Sequence, residues 1–81
     1  MILRRTLYVG LIGYQFMGRA HSNAWRQAPR FFDLPVEVRM KTICGRNTRA
    51  VRKAARQLGW EKSVSDWRKA IDDPEIDIVD I

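Results

Sequence analysis

Gly13, Gln15 and Gly18 stand at the three positions of a G-x-G-x-x-G phosphate turn, within the stretch VGLIGYQFMGRAHSNAW from Val9 to Trp25, with glutamine in place of the middle glycine. Such a turn holds a dinucleotide pyrophosphate on backbone N–H groups at the opening of a helix, where the first amides lack intrahelical acceptors and the helix dipole is positive. The chemistry needs a tight turn at the first position, close backbone approach at the second and close helix-to-strand packing at the third. Gly13 and Gly18 meet the first and last requirements. Gln15 removes room but no donor. With a negative φ its Cβ can point away from the pyrophosphate, and its amide can reach a phosphate or ribose oxygen. The expected donors are the backbone amides near Phe16 and Met17, whatever their side chains.

Other reactive residue types lack partners. His21, one helical turn past Met17, reads as a helix-to-sheet contact or cap rather than a base. Cys44 reads as a small buried hydrophobe at a strand end. Phe31 and Phe32 are expected to cover an edge of the core. Trp25, Trp60 and Trp67 are too widely spaced for a stacking ladder and are expected to pack. Asp66, Asp72 and Asp73 suit caps and turns, since no His or Glu joins them at ligand spacing. Neither a catalytic residue nor a metal site is expected.

The elements that must position the glycine turn follow from the apolar spacing, which switches between periods near two and near 3.6. Leu7 to Ile12 is an almost wholly apolar run, as in a strand buried on both faces of a parallel sheet. A helix is expected over Phe16 to Ala28, with Met17, Ala20, Ala24 and Ala28 on or near its inner face and Pro29 marking its end. After a proline-bounded loop, VEVRMKTICG alternates before both faces turn apolar at Ile43 and Cys44. Asn47 or Thr48 caps a helix from about Arg49 to Leu58, stopped by Gly59, with Val51, Ala54, Ala55 and Leu58 inward and Arg49, Arg52, Lys53 and Arg56 outward. Lys62 to Val64 is a short strand, Ser65 or Asp66 caps the helix WRKAI, DDP is a turn, and Ile76 to Ile81 is a last strand. The fold class is α/β: a partial Rossmann fold in the order β-α-β-α-β-α-β, a parallel sheet of about four strands with helices on both faces.

Composition bounds the rest. A chain of 81 residues buries only about 60 to 65% of its unfolded surface, enough for one modest core that is marginal without an oligomer or further sequence. Fifteen Lys and Arg against nine Asp and Glu give a net charge of +6, which suits a phosphorylated cofactor or nucleic acid. A single cysteine excludes an internal disulfide and a zinc-ligand cluster and fits a reducing compartment. Arg4 and Arg5 have the look of a twin-arginine export pair, but no apolar h-region follows, and no apolar run approaches the roughly 20 residues that span a bilayer. The expectation is a soluble, cytoplasmic protein with no membrane partner.

Nearly the whole chain resembles the Gfo/Idh/MocA oxidoreductases. VGLIGYQFMGRAHSNAWR is similar to that family's opening strand, phosphate turn and first helix, ICGRN to the end of its second strand, and VSDWRKAIDDPEIDIVDI to its third helix and fourth strand. The resemblance implies a Rossmann NAD(P) domain that normally precedes a larger α+β domain carrying a sugar or polyol pocket. It also implies a Thr-Pro-Asn type loop and a Glu-Lys-Pro motif with a catalytic lysine, both beyond Ile81. Residues 1–81 are thus expected to be an incomplete dinucleotide-binding domain without the substrate domain, with a small-molecule substrate engaged only in a longer protein.

Within that resemblance, the family's acidic residue at the end of the second strand corresponds to Gly45, followed by Arg46 and Asn47. A carboxylate there binds the ribose 2′-hydroxyl, whereas arginine suits a 2′-phosphate. The expectation is therefore NADP, with NAD as the alternative. Two other classes compete. AVRKAARQLGWEKSVSDWRKAI can be read as a helix-turn-helix DNA-binding unit, although the flanking strands have no place in one and no nucleic-acid partner is expected. A non-catalytic remnant or interaction module is the other, and an unpaired edge beside the last strand would favour a homo-oligomer.

Overall fold

Val9 and Leu11 are fully buried, and so is Gly10 between them, so their strand has no solvent face and must lie inside a sheet. In the computed structural model, which describes residues 5–81, that strand is β1 (Arg5–Ile12). It is followed by α1 (Phe16–Phe31), β2 (Val36–Cys44), α2 (Thr48–Leu58), β3 (Lys62–Val64), α3 (Trp67–Ile71) and β4 (Ile78–Asp80). All pairings are parallel and the strand order is β3-β2-β1-β4. The chain winds outward from β1 through β2 to β3, then returns to the other side of β1. The reversal lies between β1 and β4, and in such sheets the crevice beyond the strands' carboxyl ends at that point receives the ligand. Arg4 lies outside the described residues.

Alternation along the strands sorts the two faces. Val9, Leu11 and Ile43 form one core with Val51, Ala54 and Ala55 of α2 and with Trp60. On the other face Ile76 packs over Gly10, 3.4 Å from where a Cβ would stand, and α3 buries Ala70. Strand β3 separates α2 from α3 and pairs with β2, an arrangement incompatible with a helix-turn-helix. Among the described residues no helix is long and apolar enough to cross a membrane.

Helix α1 departs from the expected pattern in two ways. Pro29 lies inside it rather than after it, because a proline in the last turn forfeits a single N–H bond. The helix still closes by donation from the Phe32 N–H to the Ala28 carbonyl at 2.9 Å. The added turn carries Phe31 and Phe32 outward, 76% and 66% exposed, instead of folding them over the core. The inner face also differs: Met17, Ala20 and Ala24 are exposed, and the buried residues are Gly18 and Ser22.

Partners explain that choice. The Ser22 hydroxyl donates to the Gly18 carbonyl at 2.7 Å and accepts from the Trp60 indole N–H at 2.9 Å. On the same face His21 Nδ1 and Trp25 Nε1 both hydrogen-bond the Asp80 carboxylate of β4, at 2.9 Å each. His21 is thus the expected helix-to-sheet contact. Polar groups with partners can be buried at little cost, whereas the two exposed alanines, Ala20 and Ala24, offer little area to bury.

The amino end of the sheet is tied by charge. Val9 pairs with Met40 and Gly10 with Thr42, so Lys41 is the extra residue of a β-bulge. Its ammonium reaches Asp73 at 3.4 Å and Glu75 at 3.0 Å and lies 5.5 Å from the centre of the Tyr8 ring. Asp73 accepts from the Glu75 N–H at 2.9 Å. That backbone bond, with Lys41 beside it, holds the Asp73 carboxyl below its ordinary range. Desolvation opposes the charge on Lys41, but the bonds to Glu75 and Asp73 outweigh it and raise its pKa. Asp77 exchanges bonds with the backbone of Tyr8, each at 2.8 Å. Residues 76 and 77 therefore serve this turn, and β4 is shorter than the expected run from Ile76 to Ile81.

Three outcomes follow for stability. Gly18→Ala places a Cβ against the Gly13 carbonyl and should cost about 1–3 kcal/mol in urea denaturation. The Thr42 hydroxyl is buried without a partner among the described residues, so Thr42→Val should gain about 1 kcal/mol in the same assay. A carboxyl depressed in the folded state adds stability above the unfolded pKa and loses it as pH falls through the folded value. The stability gap between wild type and Asp73→Asn should accordingly be full at neutral pH and close on acidification below about pH 3.9, the ordinary aspartate value.

Candidate nucleotide-binding site

The turn from β1 into α1 is built by contacts that only glycine permits. Gly13 adopts φ 114 and donates its N–H to the Cys44 carbonyl at 2.8 Å, which pins the turn to the end of β2. A Cβ on Gly18 would overlap the Gly13 carbonyl oxygen and lie 2.8 Å from its carbon, so the helix starts directly on the turn. Gln15 is the N-cap residue with φ −84, outside the positive-φ region that favours glycine, and it is exposed.

No side chain caps α1. The Arg19 N–H donates to the Gln15 carbonyl at 2.8 Å, which leaves the amides of Phe16, Met17 and Gly18 without an intrahelical acceptor. The other helices differ: Asn47 caps α2 through the Ala50 N–H at 2.9 Å, and Asp66 caps α3 through the Arg68 N–H at 3.0 Å. The Phe16 and Met17 side chains are 81% and 60% exposed and take no part in closing the helix end.

A hollow of about 430 Å³ lies between this uncapped end and α2, against Phe16, Arg19 and Lys53, and two others flank the end over the sheet. One, of about 640 Å³, lies beyond β1, β2 and β3 and is lined by Ile12, Tyr14, Arg46, Ser65, Trp67 and Ile71 among others. The second, of about 340 Å³, lies between the start of α1 and the end of β4, against Leu11, Met17, Gly18, His21 and Ile81. Gly13 and Gln15 border both. Together they suit an elongated ligand with an anionic middle and a flat apolar end. Trp67, expected to pack, instead stands 51% exposed in the larger hollow, with the Arg68 guanidinium 5.3 Å from its ring centre. A further hollow of about 440 Å³, between Pro29 and Val38, lies at the opposite end of the sheet, remote from the glycine turn.

At the end of β2 a side chain is excluded. A Cβ on Gly45 would overlap Cδ1 and Cε1 of Tyr14 and lie 3.3 Å from the Val51 Cβ. Arg46 is exposed and has no acidic partner among the described residues. The side chain of Asn47 is engaged in capping, which leaves it little freedom for a ligand. Cys44 is buried, and burial together with Asp66 pushes its thiol pKa up, away from nucleophilic character. No cluster of three metal-ligating side chains occurs among the described residues. The structure therefore places Gly13 and Gln15 at both hollows over the sheet, Phe16 and Met17 at the smaller one and Arg46 at the larger, where it adds Tyr14 and Trp67. A glycine at a strand end was the signal for Tyr14, since it marks close approach by another group.

Comparison with known proteins identifies the family and its fold. The family model described as an oxidoreductase family with an NAD-binding Rossmann fold matches residues 7–81. A levoglucosan dehydrogenase of Pseudarthrobacter phenanthrenivorans is 49% identical over 81 residues, covering 95% of this chain and 20% of that protein. A structure of levoglucosan dehydrogenase in complex with NADH and levoglucosan superposes with a TM-score of 0.91 at 49% identity, over 95% of this chain and 21% of the other. An oxidoreductase domain protein from Kribbella flavida gives 0.87 at 51% identity, over 93% and 20%. The chain spans about a fifth of the length of these relatives. With the family model covering all but its first six residues, the chain belongs to the Gfo/Idh/MocA oxidoreductases, and it has the NAD-binding Rossmann fold of that family.

Proposed function

We propose that this chain is the NAD-binding portion of a dehydrogenase that oxidises a hydroxyl of a sugar or polyol. The observation that carries the reading is the start of α1, where three backbone amides stand without acceptors between two hollows at the topological switch point. The amides of Phe16, Met17 and Gly18 would hold the pyrophosphate, with Gly13 and Gln15 bordering it. The larger hollow, walled by Trp67 and Ile71, would take the adenosine end. The smaller one, beside Ile81, would take the nicotinamide end. Bound there, the cofactor supplies a hydride acceptor.

NAD replaces the NADP expected from Arg46. That expectation rested on the missing carboxylate at Gly45, and the Tyr14 ring gives the absence a packing cause instead. Structures of a relative at 47% and 49% identity hold NADH. The sugar class is supported by the same relative, whose complexes contain levoglucosan or L-sorbose. Hydride transfer also needs a proton acceptor within hydrogen-bond reach of the substrate hydroxyl. In this reading a longer protein provides it.

Titration with NAD, NADP and duplex DNA at fixed salt, followed by tryptophan fluorescence, tests the proposal. Saturable quenching by NAD with weaker binding of NADP is expected, because Trp67 lines the cleft. DNA binding that falls steeply with salt, with no response to either dinucleotide, would overturn it.

A further inference from the structure

Charge at the end of β2 does not account for a preference for NAD. Arg46 is exposed without an acidic partner among the described residues, and neither α1 nor α2 carries an acid in its first turn. On electrostatics alone this corner would welcome a 2′-phosphate. Discrimination must then come from shape, and the bulky group standing there is Tyr14. Its ring covers Gly45 so closely that even a Cβ is excluded, and it borders the larger hollow beside Arg46.

The ring is also held in place. Tyr14 is half-buried, packs against the core that contains Val9, Leu11 and Ile43, and follows Gly13, whose N–H is tied to Cys44. We propose that Tyr14 sets cofactor choice by occupying the volume beside Gly45 and Arg46 that the 2′-phosphate of NADP requires. It does sterically what a carboxylate does by charge in related folds. Gly45 is the matching half of the device, since any side chain there would displace the ring. The inference rests on the dinucleotide reading above.

The test measures dissociation constants for NAD and NADP by tryptophan fluorescence in wild type, Tyr14→Ala and Tyr14→Leu, the last keeping apolar packing with less bulk. Both variants should tighten NADP and move the NAD-to-NADP preference by at least about tenfold, and adding Arg46→Ala to Tyr14→Ala should remove the gain. Thermal denaturation supplies a second readout: Gly45→Ala should lower the melting temperature of wild type but not that of Tyr14→Ala. A wild type that binds NAD with a preference changed less than about twofold by both Tyr14 variants would overturn this inference alone. A wild type that binds neither dinucleotide would instead defeat the function reading, and additive melting shifts would show that ring and glycine are not coupled.

Discussion

The close contact between Gly18 and the carbonyl of Gly13 governs the rest of the molecule. The helix starts directly on the strand's end, and no side chain caps its first amides. Those amides are then open to the crevice. The same contact sets the height of α1 on the sheet, which decides which of its residues meet β4 and which meet the core. Gln15 is tolerated because the tight spots fall at residues 13 and 18, whereas its own φ is negative.

Polar anchors hold the helix at that height. Ser22 bridges the Gly18 carbonyl to Trp60, so the buried face of α1 is linked to the segment just beyond the Gly59 cap of α2. Asp80 collects His21 and Trp25 from the next turns and fixes the helix to β4, on the far side of the switch point. A small domain with little apolar surface to spare gains specificity from such satisfied contacts, because any other helix rotation would strand buried donors without partners. The Lys41 cluster plays the corresponding part at the amino end, where the bulge turns a cation toward the acidic turn before β4.

Much of the architecture was legible in the residues. Continuous apolar runs separated by capped helical segments gave seven elements in order, and Asn47, Asp66 and Gly59 act at the helix ends where their chemistry suits them. The inner face of α1 was not legible, since alanines and a methionine at helical spacing look more buriable than serine and histidine. Their fate depended on Trp60 and Asp80, which lie 38 and 59 residues away from Ser22 and His21. The exposure of Phe31, Phe32 and Trp67 likewise depended on where the elements ended.

By itself the sequence determined the parallel α/β order and the place of the glycine turn, because glycine spacing, caps and apolar period are local properties of the chain. What stands at the end of β2 was decided only in three dimensions. Gly45 and Arg46 read alone as a vacancy for a 2′-phosphate, yet parallel pairing of β1 with β2 brings Tyr14 from the glycine turn onto that spot. Which group fills a volume is set by residues far apart in the chain that the fold makes neighbours, and one-dimensional spacing carries no record of it.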